Sequence, residues 1–544
     1  MLPLGKKPEQ LDLYAAQKII ADISSGLYRS PAAAIKELVT NAYDADAENV
    51  VIETDVPRFR TLVIRDDGNG MTIKHFKEVV SHIGGSRKRI IGGETTQKKG
   101  RKLIGRIGIG MLAVAQLGFK YYVSSSVKGD PTRFIAEVDL EPFHKDDAAL
   151  ISMGRMKTDS DEVFIGAVKY VDNIPEDIDA HYTVITVPQA RKGLISEMTS
   201  AVREAVGAKE ALSAKEPLIN SFEKLIEVTR SSKRADTSLD GYYYMLWELG
   251  HLCPVDYADT GPFDTSQRAI EGVENIEPPR IKDFRVVVDG IEIRRPQMFP
   301  SRCTYNYNGP VPKLYPLRFE REVAGRLLKF YGYILAQQPR IDPEGFLGVH
   351  IRIRNVGIGK YDRTWLGYPF DEGIKFGQLS GEVFVEEGLE QALNIDRDSF
   401  KETDVHYQAL RAYLWEKLRK EIFPEFKLRQ SRHSSKKRAA AQSVQSTRLN
   451  ERLEQLPAPL IIEKEEISIV VTPTVSNWIE TDQDILRLDK VKWRELIDDT
   501  GMSSREAQER FIRVLRVLLS SELLAYSSEE DIEPLLRAIA VAVQ

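Results

Sequence analysis

Cysteine is nearly absent: Cys253 and Cys303 are the only two in 544 residues. Two thiols build neither a disulfide framework nor a zinc cluster, and so few fit a reducing cytosol. No apolar run approaches the ~18 residues of a membrane-crossing helix, and neither end reads as a signal peptide. The expectation is a cytoplasmic protein with no membrane association. No Gly-x-x-x-x-Gly-Lys-Ser/Thr occurs, which excludes a P-loop. Charge of one sign is missing too: 76 Lys and Arg face 81 Asp and Glu, a net of −5. That balance argues against a surface that coats nucleic acid, while a local basic patch stays possible. What is present, 42% hydrophobic and 29% charged residues, is the make-up of a soluble globular chain. Its length predicts three or four domains.

Three short motifs between Pro31 and Gly110 carry chemistry. The first, Glu37-Leu-Val-Thr-Asn41-Ala-Tyr-Asp44-Ala45, lies on a predicted helix. Ile35, Leu38, Val39 and Ala42 mark its buried face, and Glu37, Asn41 and Asp44 share the opposite stripe. Alone, this is also the pattern of any amphipathic helix with a wet face. In the second, Thr61-Leu-Val-Ile-Arg65 reads as a strand delivering Asp66 to the turn Asp67-Gly68-Asn69-Gly70-Met71. A carboxylate at a strand end can accept from the exocyclic amine of a purine, and glycines let backbone approach a flat ring. Alone, it is a plain Asp-Gly turn. The third, Gly105-Arg106-Ile107-Gly108-Ile109-Gly110, opens an apolar helical run. Glycines there present free N–H groups and a dipole end to phosphate oxygens. Its glycine order and the lack of a leading strand disfavour a dinucleotide site.

Together and in this order the motifs resemble those of the GHKL ATPase superfamily, which groups gyrase, Hsp90, histidine kinases and MutL, with MORC proteins as relatives. The resemblance implies a Bergerat fold, an α/β (α+β) sandwich holding ATP beside a mobile lid. It implies Glu37 as the general base, Asn41 as the Mg²⁺ ligand and Asp66 as the adenine contact. Asp44, Ala45, Gly68, Gly70 and Met71 would complete the nucleotide pocket, and Gly105, Arg106, Ile107, Gly108, Ile109 and Gly110 the lid end. Those roles suit the chemistry: Glu accepts a proton, and an amide oxygen suits a hard cation. The Gly- and Lys/Arg-rich stretch 84–102 has the composition of a mobile loop. There Ser86-Arg87-Lys88 resembles the family's Ser-x-Lys, which puts Lys88 at phosphate. Tyr182-Thr183-Val-Ile-Thr-Val187 is similar to the strand whose threonine supports the adenine carboxylate; with Tyr in place of Gly, Thr183 or Thr186 fills that role.

The expected order of units is an ATP-binding domain over 1–190 with its lid at about 84–110, then a helical connector over 191–240. A middle domain over 241–426, a basic linker over 427–456 and a small C-terminal helical unit over 457–544 follow. Residues 11–20 read as helical, 240–281 as irregular, Phe284–Ile293 and Leu327–Gln337 as strands, and Leu347–Asn355 as a half-buried strand. The middle span resembles the ribosomal S5-like transducer domain of Hsp90. Leu393-Asn-Ile-Asp-Arg397-Asp-Ser-Phe400 resembles the Hsp90 loop whose arginine reaches the γ-phosphate, so Arg397 is expected to stabilise phosphoryl transfer. An Asp precedes it where that loop has Ser. Ser503-x-x-Glu506 reads as a capping box, and 496–519 faintly as a helix-turn-helix. The C-terminal apolar faces would close a small core or pair two subunits. Two functions fit: an Hsp90-like homodimeric clamp acting on a protein client, or a MORC/MutL-like clamp acting on DNA with partner proteins.

Overall fold

The computed structural model describes residues 2–3, 6–16, 30–81, 95–96, 98–104, 110–141, 162–199, 219–230, 239–258, 270–296, 310–341, 343–394, 398–454, 468–472, 479–482, 485–520 and 529–543. They form a mixed α/β chain in two compact units, Met1–Ser431 and Arg432–Gln544.

The first unit holds two sheets. The larger has nine strands: β1 (Glu9–Ala16), β2 (Asn49–Glu53), β3 (Leu62–Asp66), β4 (Lys120–Ser126), β5 (Thr132–Asp139), β6 (Glu162–Pro175), β7 (Tyr182–Val187), β8 (Arg285–Val288) and β9 (Ile291–Glu292). Their spatial order is β1-β6-β5-β4-β7-β3-β2-β8-β9. All neighbours run antiparallel except β2 and β8. The helices α1 (Pro31–Asp44), α2 (Ile73–Ser81), α3 (Gly110–Leu117), α4 (Lys192–Thr199), α5 (Phe222–Arg230) and α6 (Gly241–Leu252) share one core with this sheet.

Three sequence expectations fail here. Residues 9–16 are strand, not helix: Leu13 is buried as β1 pairs with β6, a two-residue alternation that the spacing of Leu11, Tyr14 and Ala15 disguised. Residues 241–252 are helix, not irregular. Gly-Tyr-Tyr-Tyr-Met-Leu-Trp is poor in helix formers and buried on nearly every side, so it shows no amphipathic period. Phe284–Ile293 is two strands around the turn Asp289–Gly290, and it extends the first sheet beside β2 although the sequence placed it in a middle unit.

The second sheet comprises β10 (Lys313–Val323), β11 (Arg326–Ala336), β12 (Gly348–Ile353), β13 (Val356–Asp362) and β14 (Leu379–Glu387) in the order β10-β11-β14-β12-β13. The helix α7 (Val405–Lys417) buries Tyr407, Leu410 and Leu414 in its core. A π-turn over Leu418–Ile422 leads into α8 (Phe423–Glu454). Strand β12 is buried at every position, not at alternate ones. Its polar residues His350 and Arg352 are enclosed by α6 and the chain after it: Arg352 donates to Glu382 Oε1 at 2.8 Å and to the His251 carbonyl at 2.7 Å. Glu382 also accepts from Tyr257 (3.0 Å) and Tyr333 (2.8 Å), while Arg295 lies over the Tyr257 ring. Burial pushes the Glu382 carboxyl up, but the Arg352 and Arg295 guanidinium groups outweigh it and hold it below the usual range. Burial lowers His251 to about 3, so it stays neutral. This ionic seam ties the second sheet to α6 and to the chain that follows α6 and β9.

In the second unit β15 (Ser468–Thr472), β16 (Ile479–Asp482) and β17 (Ile485–Asp489) form a small sheet. The helices α9 (Lys490–Thr500), α10 (Arg505–Ser520) and α11 (Glu529–Ala542) close a core of Trp493, Leu496, Met502, Phe511, Leu515 and Leu536. Ser504, not Ser503, caps α10, accepting from Ala507 N at 3.1 Å; the expected capping box is therefore out of register by one residue.

Replacing Glu382 by Leu strands two buried guanidinium groups and is expected to cost about 3–5 kcal/mol, read as a lowered denaturant midpoint of the full chain. A loss under ~1 kcal/mol would mean that the seam is hydrated.

Candidate active site

Ser30 caps α1, its Oγ accepting from Ala33 N at 3.3 Å, and Pro31 supplies the preset first turn. Every residue from Pro31 to Thr40 is buried, Lys36 and Glu37 included, while Asn41 is exposed and Asp44 half-buried. The polar stripe read from the sequence is thus not a wet face; it opens to solvent only at its last turn.

At the end of α1, the Ala45 carbonyl accepts from Asn69 N at 2.7 Å, which ties the helix to the turn after β3. That turn is preformed. Gly68 N donates to Asp66 Oδ1 at 2.9 Å, Met71 N to Ser125 Oγ at 2.9 Å, and the Gly68 carbonyl meets His181 Nδ1 at 2.9 Å. Gly70 has φ +67°, and a Cβ there would run into the Ser126 carbonyl. Thr183 pairs with Asp66 across β7 and β3, and its hydroxyl lies 3.2 Å from Ser125 Oγ. Thr186 pairs with Val63, on the opposite face of the strand. Burial raises the Asp66 carboxyl to about 7, against smaller opposing contributions from Gly68 N–H, Thr183 and His181.

The stretch 95–104 folds back onto the same helix end. Asp44 Oδ1 accepts from Ile104 N at 2.8 Å, and Asp46 Oδ2 from Lys98 N at 3.0 Å. Arg101 is buried over the Tyr43 ring and donates to the Ala47 carbonyl at 2.7 Å and to Asp283 at 2.8 Å. From the second sheet, Arg354 donates to the Leu103 carbonyl and Glu387 pairs with Lys102. Gly110 opens α3, which packs on α1.

The structure therefore gathers Glu37, Asn41, Asp44, Ala45, Asp66, Gly68, Gly70, Met71, Gly110 and Thr183 around the end of α1. Lys88, Gly105, Arg106, Ile107, Gly108, Ile109 and Arg397 lie outside the described residues. Sequence reasoning missed Lys36, Asp46, Arg101, Ser125, His181 and Arg354. Their partners are distant in the chain, so no local spacing signals them.

Residues 28–165 match the family model described as histidine kinase-, DNA gyrase B- and HSP90-like ATPase. The chain carries a GHKL ATPase domain. The match spans about a quarter of the chain, from the approach to α1 into β6. A search of the curated proteins finds no match. An ATPase domain of this type binds and hydrolyses ATP. Among its described residues the exposed Asn41 amide makes no side-chain hydrogen bond, and Glu37 and Asp44 flank it on the same helix. An amide oxygen of that kind suits a hard cation. Among the described residues no helix is long and apolar enough to cross a membrane.

The raised Asp66 carboxyl gives a sign. The ionised form is the better acceptor for an exocyclic amine, so affinity is expected to fall as pH drops through about 7. The loss approaches tenfold per pH unit below that, read with adenosine so that no phosphate titrates. Asp66→Asn is expected to abolish nucleotide binding; a parental dissociation constant would remove Asp66 from the purine contact. In the empty protein, Asp66 holds its proton more tightly than an unfolded Asp does. Its contribution to stability therefore diminishes as pH rises from about 4 to about 7.

Proposed function

We propose that the chain is a Mg²⁺-dependent ATP hydrolase working as an Hsp90-like dimeric clamp on a protein client. The observation that carries this reading is the second sheet's grip on the nucleotide end of α1. Asp398 pairs with Lys36 at 3.0 Å, Arg354 holds Leu103, and Glu387 holds Lys102. A hydrolysis site wired to its neighbour suits a machine that turns ATP turnover into movement.

In this reading Asp66 accepts from the adenine amine while Gly68, Gly70 and Met71 let backbone lie against the ring. Thr183, in register with Asp66, supports the carboxylate, and Thr186 does not reach it. Asn41 is the protein ligand of the Mg²⁺, which when bound offsets triphosphate charge. Glu37 orients the attacking water and takes its proton, in a buried setting that excludes bulk solvent. By the family resemblance, Lys88 and the 105–110 glycines are assigned to phosphate binding and Arg397 to the guanidinium role in phosphoryl transfer. Two copies joined through the C-terminal unit then close and open with the cycle.

A second reading, a MORC/MutL-like clamp on DNA with partner proteins, is favoured by one observation. Arg432, Lys436, Lys437 and Arg438 are exposed along α8, a concentration of positive charge of the kind that attracts phosphates.

Glu37→Ala is expected to keep ATP binding while hydrolysis falls at least ~100-fold, about 2.7 kcal/mol of barrier; unchanged turnover would remove Glu37 as the base. The two readings separate in an ATPase assay at several salt concentrations. Activation by an unfolded or partner protein alone supports the first, and salt-sensitive activation by duplex DNA supports the second.

A further inference from the structure

Strand β10 is an edge of the second sheet, paired with β11 on one side only. Leu314 N donates to the Glu271 carbonyl at 2.8 Å and Arg318 N to the Tyr413 hydroxyl at 3.1 Å, both away from β11. Backbone direction alternates along an antiparallel strand, so Pro316, Glu320 and Glu322 turn their polar groups outward as well. Pro316 has no N–H to lose there, which is where an edge strand tolerates proline. Glu271, Pro316 and Tyr413 thus blunt the edge as far as Arg318. Past it, the backbone N–H and C=O groups of Glu320 and Glu322 have no partner among the described residues.

Between this edge and α7 runs a groove. One cavity of about 550 Å³ is bounded by Arg318, Phe319, Arg321, Ala409, Ala412 and Tyr413. A second, of about 520 Å³, lies on the Glu274 and Glu277 side of Arg318 and Tyr413. Ala409, Ala412 and Tyr413 share one stripe of α7, and its two alanines leave the gap open. The Phe319 ring stacks on Phe330 at 5.0 Å and meets the Tyr413 ring edge-on at 5.5 Å, which gives the groove a fixed aromatic floor. Much of its charge is already spent: Glu320 pairs with Lys329, Glu416 with Lys420 and Lys417 with Glu421. Arg318, Arg321, Glu274 and Glu277 make no ion pair among the described residues, nor does Glu322 beyond the cavity lining. Unspent charge is therefore positive at Arg318 and Arg321 and negative at the Glu274 end.

We propose that the open edge of β10 and the groove beside α7 take up an extended segment of a partner protein. The segment adds antiparallel to β10, with acidic residues against Arg318 and Arg321 and a basic residue toward Glu274 and Glu277. Main-chain hydrogen bonds to the edge supply affinity, and the groove supplies specificity. An open edge otherwise pairs with any exposed strand, and the unspent charges select against a chain that lacks their complement. A second copy is the poorer occupant. If Arg318 of each copy met Glu320 of the other, each Arg321 would stand opposite a Leu317, and that glutamate is already held by Lys329. None of these residues belongs to the nucleotide site, so failure here leaves the reading of that site intact.

The test titrates the full chain into a fluorescein-labelled peptide, Asp-Val-Asp-Val-Thr-Val-Lys, and into its charge-exchanged counterpart, Lys-Val-Lys-Val-Thr-Val-Asp, reading anisotropy. The first is expected to bind saturably and about tenfold more tightly than the second, and Arg318→Glu/Arg321→Glu to reverse that order. Glu320→Pro removes one outward N–H and no bond to β11, and is expected to weaken both peptides about tenfold while ATP affinity stays parental. Glu320→Ala, which keeps the N–H and loses only the pair with Lys329, retains parental affinity. Binding that does not saturate by about 1 mM, equal affinity for the two peptides, or parental affinity in Glu320→Pro overturns the proposal. So does self-association of the chain that Glu320→Pro abolishes in sedimentation, which assigns the edge to a second copy. Should Glu320→Pro not fold, the order of the two peptides on Arg318→Glu/Arg321→Glu decides alone.

Discussion

A helix enclosed from Pro31 to Thr40 that nonetheless carries Lys36 and Glu37 is the constraint from which the rest of the first unit follows. A charge taken out of water has to be met by an opposite charge or by a full set of hydrogen bonds. For Lys36 the nearer partner is Asp398 at 3.0 Å, on the loop after β14, with Glu37 of α1 itself at 3.7 Å. The enclosure also explains α6. A helix rich in aromatic residues fits between α1 and β13 because most of it is buried, and Gly250 brings it against the Arg294 carbonyl, where a Cβ would collide. Helix α1 is buried by the elements that join it to the rest of the first unit.

The same logic, one layer further out, makes the seam of Arg352, Glu382 and Arg295. Replacing such a network with apolar residues often leaves a protein as stable, so its presence is weak evidence for stability as such. What it does fix is registry. Glu382 accepts from Tyr257, Tyr333 and Arg352 together, and those three reach one carboxylate only when the chain after α6 and strands β11, β12 and β14 hold a single arrangement.

Much of the framework that carries the three motifs was legible because its elements are local. The helix bearing Glu37, Asn41 and Asp44, the strand ending at Asp66 and the strand Tyr182–Val187 all stand where spacing and β-branching put them. Asp66 and Thr183 fall in one register because adjacent strands carry them. What stayed hidden is what needs a third dimension. Strand β1 looked helical because three spaced apolar residues fit either period, and α6 looked irregular because full burial erases periodicity. Strand β12 looked half-buried because its alternation is real, but Arg352 and His350 face partners instead of water. Asp283, which holds Arg101, and Glu387, which holds Lys102, stand far away in the chain, and no local pattern announces either.

The two ends of the nucleotide site are held by different physics. At the purine end, hydrogen bonds fix the turn before any ligand comes: Gly68 N to Asp66, Met71 N to Ser125, Asn69 N to Ala45. A turn fixed in this way presents Asp66 without rearrangement. At the phosphate end the stretch up to Ile104 is held by Asp44 and Asp46 from α1 and by Arg354 and Glu387 from the second sheet. Of these, the Lys102–Glu387 pair is a partly exposed ion pair, worth about 1 kcal/mol or less and therefore easily exchanged. A rigid grip on the base beside an exchangeable one on the lid stem allows a nucleotide to stay bound while the surroundings of its phosphates change. That separation is what an ATPase needs when binding and hydrolysis are to drive different positions of a neighbouring domain.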